Sequence, residues 1–400
     1  MEKKMDLSGK TVLLGLTGGI ACYKAAEFAR AMIKEGAVVH VVMTENAQQF
    51  ITPLTLQALT GNPVFTSSWD NRQPNNMPHI DLPRKADAIV IAPCTANFIA
   101  KLANGICDDL LSTLCHARPA STPLLIAPAM NVEMWEKNAT QRNIHQLQQD
   151  GIGIMGPASG FQACGEVGKG RMLEPLELVE EVIAALWPKT MAGRKLLITA
   201  GPTFEPIDPV RGITNRSSGK MGYAIARAAW LAGAEVTLVS GPTALPTPYG
   251  VNRLDVMTAA EMLETVIRHI DQKDVFISVA AVADWRVKNA SSQKIKKTAT
   301  QSVPTLEFIE NPDILATVAL RPDAPYCVGF AAESEHLREY AEAKRRKKGI
   351  PLLVGNIGHE TFGKDHNTLV LFDEKGVLEL PYDTKQNLAY RLMTELASRL

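Results

Sequence analysis

Cys164 lies in GFQACGEVGKGRM, residues 160–172, a stretch dense in glycine. It is expected to be a mobile loop rather than the buried setting of a structural cysteine, and a reachable thiol can deliver or take a proton. A second glycine cluster, GLTGGIA at 15–21, falls between an expected strand and an expected helix. There small residues let backbone N–H groups approach a phosphate at the helix N-terminus, unless they merely make a tight turn. The spacing is not GxGxxG, and no acidic residue closes the following strand to hold an adenosine ribose, so a mononucleotide fits better than NAD or FAD. APCTAN (92–97) and APAMN (127–131) each follow a strand candidate, at the carboxyl ends where doubly wound sheets collect ligands. Further along, the loop 200–222 carries Arg211, Arg216, Lys220 and many backbone donors, and is expected to hold an anion. SGKM (218–221) is not a P-loop, because Met stands where the metal-binding hydroxyl belongs and the glycine spacing is wrong. Lys344 and Lys348 are four apart on an expected helix and can face one anion, although basic helix faces are more often solvated.

The elements that must position these residues read as two rounds of βαβ alternation. In the first half, apolar runs at 11–16, 37–43, 88–92 and 124–127 are expected strands, with a helix over 21–34. An amphipathic helix over 176–186 closes on Trp187-Pro188, and the boundary is placed at 190, giving domains 1–190 and 191–400. The second half has expected strands at 196–199, 236–240, 275–279, 326–330 and 352–354, then a hairpin over 368–380. The fold class is α/β, with two Rossmann-like doubly wound parallel sheets, the first flavodoxin-like.

Composition narrows the partners. Lys plus Arg and Asp plus Glu both total 42, so no net field steers the chain to nucleic acid or an anionic membrane. The six cysteines (Cys22, Cys94, Cys107, Cys115, Cys164, Cys327) show no zinc spacing or CxxC pair and read as reduced thiols. Of these, Cys94, Cys107 and Cys115 read as packing residues. With no signal peptide and no run near the roughly 18 apolar residues of a membrane span, a soluble cytoplasmic protein is expected.

GLTGGIACYK, APCTANFIAKLANGICDDLLST, PAMNVEMW and ACGEVGKGRM together resemble the flavin-dependent cysteine decarboxylase family over residues 11–173. The resemblance implies FMN as cofactor, with Thr17, Gly18, Gly19, Ile20, Thr44, Thr95, Ala96 and Asn97 as contacts. It implies His79 as the active-site histidine; without it, a lone His in a Pro- and Asn-rich loop would be read as solvated. Asn131 matches the residue that binds the substrate carboxylate, a role an amide fills by donating hydrogen bonds without trapping a proton. In this family, oxidation of the substrate thiol to a thioaldehyde creates a sink for the electrons left when CO₂ departs. The resulting enethiol is then protonated and reduced, with Cys164 matching the proton donor. Glu166 stands where many members have Asp, and Pro78 directly precedes His79; both differences concern loop geometry.

GPT, DPVRGITNRSSGKMG, AAVADW, KIKK, NPDIL, VGFAAE and AKRRKK, in that order, resemble the phosphopantothenate-cysteine ligase family over most of 191–400. Bacterial members activate a carboxylate with CTP as an acyl-cytidylate, from which the cysteine amine displaces CMP. Lys294 matches the lysine needed to form that intermediate, where a point charge neutralises phosphate oxygens; alone, KIKK would read as a solvated basic loop. Asn215 matches the residue that converts the intermediate to product. Ser217, Ser218, Gly219 and Lys220 match the cradle of the phosphopantothenate phosphate. For the nucleotide the matching positions are Ser278, Val279, Ala280 and Asp284, then Pro312, Asp313, Ile314 and Leu315, with Phe330, Lys344 and Lys348. Asp284 suits either ribose hydroxyls or a Mg²⁺-linked role, and no metal ligands are assigned.

The chain is thus identified as a member of the bacterial bifunctional decarboxylase–ligase family of coenzyme A biosynthesis. Its implied substrates are phosphopantothenate, cysteine and CTP. The resemblance also implies a homo-oligomer, with trimeric flavin domains and dimeric ligase domains. Two rivals are a non-catalytic FMN-binding regulator, which would lack the reacting thiol, and a nicotinamide dehydrogenase, which both glycine loops disfavour.

Overall fold

A computed structural model describes residues 6–70, 72, 77–296, 305–333, 337–357 and 364–400. The chain forms two compact units, the first ending at Trp187 and the second running from Pro188 to Leu400.

In the first unit, β1 (Thr11–Leu16), β2 (Val38–Met43), β3 (Val64–Phe65), β4 (Ala88–Cys94), β5 (Leu124–Pro128) and β6 (Gly153–Ile154) pair in parallel. Their order is β3-β2-β1-β4-β5-β6. The helices are α1 (Cys22–Lys34), α2 (Pro53–Thr60), α3 (Pro78–Lys85), α4 (Ala96–Ala103), α5 (Leu110–Ala117), α6 (Val132–Glu136), α7 (Asn138–Gln149) and α8 (Pro175–Leu186). Without the two-residue edge strand β3 the order is that of flavodoxin, and with it that of the dinucleotide-binding sheet. Either way it reverses between β1 and β4, opening a crevice at their carboxyl ends. Every residue of β4 is buried, as expected of a strand covered by helices on both faces. On α1, Cys22, Ala25, Phe28, Ala29 and Met32 are buried, a stripe at helical spacing that packs against the sheet. Phe28 and Phe98 are at most 2% exposed, and each such side chain contributes roughly 1.5–3 kcal/mol by leaving water.

Residues 160–172, expected as a mobile loop, instead contain an antiparallel hairpin of β7 (Ala158–Phe161) and β8 (Val167–Arg171). The glycines there serve close packing. A Cβ on Gly168 would fall 2.5 Å from Val132 Cγ2, and one on Gly170 only 2.3 Å from the Met130 carbonyl oxygen. The hairpin therefore lies directly against the chain that follows β5.

The second unit has β9 (Lys195–Ala200), β12 (Glu235–Ser240), β13 (Asn252–Asp255), β14 (Val275–Ser278), β17 (Tyr326–Glu333), β18 (Leu352–Ile357), β19 (His366–Asp373) and β20 (Gly376–Thr384) in one sheet. Its order is β13-β12-β9-β14-β17-β18-β19-β20. The first six strands of that order are parallel and repeat the pattern of the first unit, and β19–β20 adds an antiparallel hairpin. Ribbons β10 (Phe204–Pro206) with β11 (Gly212–Thr214), and β15 (Trp285–Val287) with β16 (Phe308–Glu310), rise beyond the strand ends. The helices are α9 (Lys220–Leu231), α10 (Ala259–His269), α11 (Ile314–Ala319), α12 (Leu337–Lys348) and α13 (Lys385–Ala397). Phe276 and Phe372 anchor a separate core. Among the described residues, no helix is long and apolar enough to cross a membrane.

Candidate active sites

The first unit has a cleft of about 1020 Å³ at the carboxyl ends of β1, β4 and β5. Thr17, Gly18, Gly19, Ile20, Thr44, Thr95, Ala96 and Asn97 all line it, together with Asn131 and Cys164. Thr17 ties two of its loops together: its hydroxyl donates to the Pro93 carbonyl at 2.8 Å and accepts the Thr95 N–H at 3.0 Å. A Cβ on Gly18 would strike Asn46, whereas Gly19 has nothing nearer than 3.7 Å, so bare backbone faces the cleft. α1 begins beside it with no side-chain cap, which suits an anion at that terminus. His79 is half-buried at the start of α3 and is not among the lining residues.

The β7–β8 hairpin brings Cys164 over Asn131. The Asn131 amide donates to Cys164 Sγ at 3.3 Å and also bonds the Glu166 carboxylate, while its oxygen caps α6 by accepting the Glu133 N–H at 2.8 Å. The cap and the site-facing roles thus belong to opposite ends of one side chain. Glu166 also lies 3.6 Å from Cys164 Sγ, so the residue in the unusual motif position reaches both groups. Gln162 was not singled out by its sequence context. Buried, it accepts the Val132 N–H at 3.0 Å and donates to the Lys169 carbonyl, pinning the hairpin in place. The cleft's lysines at 24 and 101 are ion-paired, with Glu174 at 2.7 Å and with Asp108 and Asp109 at 2.6 and 2.8 Å respectively.

Cys164 and Cys107 are exposed and the other four cysteines are buried. The packing role expected of Cys94 and Cys115 agrees with burial, which pushes both thiols up in pKa. Cys107 does not pack: it lies in the exposed turn before α5.

The second unit has a cleft of about 810 Å³ at its own switch point, between the ends of β9 and β14. It gathers Asn215, Ser217, Ser218, Gly219 and Lys220 from the loop before α9, and Ser278, Val279, Ala280 and Asp284 from the end of β14. Pro312, Asp313, Ile314 and Leu315 join them, with Phe330, Lys344 and Lys348. The Asn215 amide donates to the carbonyls of Ala281 and Val282 at 3.1 and 3.2 Å, bridging the two strand ends. Asp313 caps α11 and accepts from Lys348 Nζ at 2.9 Å. Burial would raise its carboxyl, but Lys348, the cap N–H and Lys344 hold it below the usual range.

Lys294 is exposed and is not among the lining residues. Lys297, the last residue of its motif, lies outside the described residues. Arg211, in the loop expected to hold an anion, is not among the lining residues. It pairs with buried Asp208 at 3.0 Å and donates to the Ile295 carbonyl at 2.7 Å. Asp208 also accepts the N–H groups of Val210, Arg211 and Ile295. Burial would raise this carboxyl; the three N–H donors and Arg211 keep it low. Asp208 thereby fixes the segment that carries Lys294. Among the described residues, no group of three or more His, Cys, Asp or Glu gathers as a metal site.

The flavoprotein family matches residues 1–187, and the DNA/pantothenate metabolism flavoprotein C-terminal domain matches residues 191–400. The coenzyme A biosynthesis bifunctional protein CoaBC of Vibrio cholerae is 48% identical over 97% of this chain and 98% of its own length. The protein of that name from Escherichia coli K12 is 48% identical over 99% and 98% of the two chains. That of Bacillus subtilis 168 is 42% identical over 98% of each. With both domains present and such identity from end to end, the chain belongs to the family of coenzyme A biosynthesis bifunctional proteins.

Proposed function

We infer that this protein carries out two consecutive steps of coenzyme A biosynthesis in the cytoplasm. CTP, with Mg²⁺ on its phosphates, converts the carboxylate of 4'-phosphopantothenate to an acyl-cytidylate with release of pyrophosphate. The cysteine amine then displaces CMP, and the 4'-phosphopantothenoylcysteine formed loses CO₂ to give 4'-phosphopantetheine. The observation that carries this reading is that a strand-end cleft in each unit is lined by most of the residues matched to one of these reactions, His79 and Lys294 excepted.

The first cleft fits FMN: the uncapped start of α1 and the bare Gly18–Gly19 backbone suit its phosphate, and Thr44, Thr95, Ala96 and Asn97 line the same space. When bound, FMN supplies a two-electron oxidant and then a reductant for the cysteinyl carbon–sulfur unit. Asn131 holds the substrate carboxylate through its amide, and Cys164 delivers the proton to carbon after CO₂ leaves. His79 positions the substrate. In the second cleft Ser217, Ser218, Gly219 and Lys220 take the phosphopantothenate phosphate, and Lys344 and Lys348 take the nucleotide phosphates. Lys294 stabilises charge as the acyl-cytidylate forms, and Asn215 orients it for attack. Asp284 serves the ribose or a Mg²⁺-linked water.

We also propose a homo-oligomer that is trimeric through the flavin units and dimeric through the ligase units. Ile20, Tyr23, Met134 and Phe161, which line the first cleft, are 48–68% exposed, an apolar rim that favours association.

The test is to supply the full chain with phosphopantothenate, cysteine, CTP and Mg²⁺, and follow pyrophosphate, CO₂ and phosphopantetheine by mass. Wild type completes the conversion. Cys164→Ser still releases pyrophosphate but stalls at the enethiol or its oxidised form. Folded protein that keeps its flavin yet yields neither pyrophosphate nor CO₂ would instead be a flavin-binding regulator.

A further inference from the structure

One end of the second cleft is built from more than the loop that precedes α9. Lys220 opens α9 and Lys385 opens α13, and both line the cleft. About two turns along α9, Arg227 bonds the hydroxyl of Tyr390, which stands less than two turns along α13. The helices therefore run side by side in the same sense, and their N-termini open at one place. Each terminus carries roughly half a positive charge, which adds to the two ammonium groups.

Among the described residues, the carboxylate that meets this charge is Asp365. It accepts from Lys220 Nζ at 2.6 Å, and its carbonyl accepts the Lys385 N–H at 2.8 Å. Its side chain is 76% exposed, so the carboxylate can turn into solvent without losing packing. Lys385 is only 8% exposed. Burial, then the neighbouring Lys220, hold its ammonium below the usual lysine range, and Asp365 opposes them. His366 also faces Asp365. A buried lysine at the mouth of a helix, beside a second lysine and a displaceable carboxylate, is suited to a dianion.

We propose that Lys385 and the N-terminus of α13 complete, with Lys220 and the N-terminus of α9, the site for the substrate's phosphate monoester, and that Asp365 is the internal anion this phosphate displaces. The proposal rests on the ligase reading of this cleft and deepens it. It makes Lys385 a residue that distinguishes phosphopantothenate from pantothenate, because the dianion meets both lysines and a free hydroxyl meets neither charge.

The experiment uses the full chain with Lys385→Met and Asp365→Asn. Lys385→Met raises the KM for phosphopantothenate roughly 10- to 100-fold, the range expected for a lost hydrogen bond to a charged group, and leaves kcat and the KM for CTP near wild type. Asp365→Asn moves the same KM the other way, downward, because Lys220 loses a competing carboxylate. A merely structural role would shift both variants in one direction and carry the KM for CTP with them. Inorganic phosphate, tested by thermal shift on the same proteins, stabilises wild type, stabilises Lys385→Met less and Asp365→Asn more. Unchanged phosphopantothenate KM in Lys385→Met, or a raised or unchanged one in Asp365→Asn, overturns the proposal; if Lys385→Met does not fold, Asp365→Asn decides alone. Should wild type release no pyrophosphate, the ligase reading falls, and the phosphate shifts still decide whether these lysines form the anion site.

Discussion

The glycines around Cys164 set the distance between the thiol and the substrate-binding amide. Gly170 has φ 139°, and the Met130 carbonyl oxygen occupies the place where its Cβ would be. Gly170→Ala must therefore push β8 away from residues 130–132 and carry Cys164 off Asn131. A displacement of this kind costs roughly tenfold or more in rate. The expected outcome is impaired decarboxylation with pyrophosphate release intact, read as two products from one sample. Equal loss of both would trace the defect to general unfolding instead. The Gln162 amide, which joins β7–β8 to α6, gives the same hairpin a second point of attachment.

Among the elements, the β19–β20 hairpin and the end of α13 are joined by Arg399 and Asp373, 2.9 Å apart with both side chains 12% exposed. Asp373 also accepts the N–H groups of Lys375 and Gly376 in the hairpin turn. Burial would raise its carboxyl, yet Arg399 and those donors hold it below the usual range. A carboxyl depressed in the folded state contributes stability above its unfolded value, about 3.9, and loses that contribution as pH falls through the folded value. Asp373→Asn should therefore cost the second unit roughly 1–3 kcal/mol at neutral pH. The gap from wild type should close progressively below about pH 4. Urea unfolding at a series of pH values measures it, and a gap that stays constant with pH would refute the linkage.

At the scale of the whole molecule, the two units have separate cores and separate clefts, and their strand orders agree although their chemistries differ. Residues just after Trp187 pack with the second unit: Lys189 Nζ donates to the Leu231 carbonyl at 3.0 Å, and the Met191 N–H to that of Ala232 at 2.9 Å. We propose that residues 1–190 and 191–400 are the decarboxylase and ligase domains, each able to fold alone. Expressed separately, the first should decarboxylate supplied phosphopantothenoylcysteine and the second should release pyrophosphate from CTP, phosphopantothenate and cysteine. Failure of either folded fragment would mean that its site draws on the other half of the chain.

Much of this architecture was legible in the residues themselves. Strands 11–16 and 124–127, helix 21–34 and the hairpin around 368–380 follow from apolar spacing over a few residues, which depends on local backbone periodicity. The glycine loops could be assigned to strand ends for the same reason, and the cofactor and substrate positions that the family resemblance implied, all of which line the clefts, sit in short blocks such as APCTAN and NPDIL that are recognised from contiguous sequence. Tertiary structure decided what depends on residues distant in sequence. It made 160–172 a hairpin, because Gly168 and Gly170 find residues 130–132 across the cleft. It paired Arg211 with Asp208 outside the cleft lining, and it exposed Cys107 where packing was expected. It also set Lys385 beside Lys220, 165 residues away along the chain, where helix packing converges two charges that no local pattern connects.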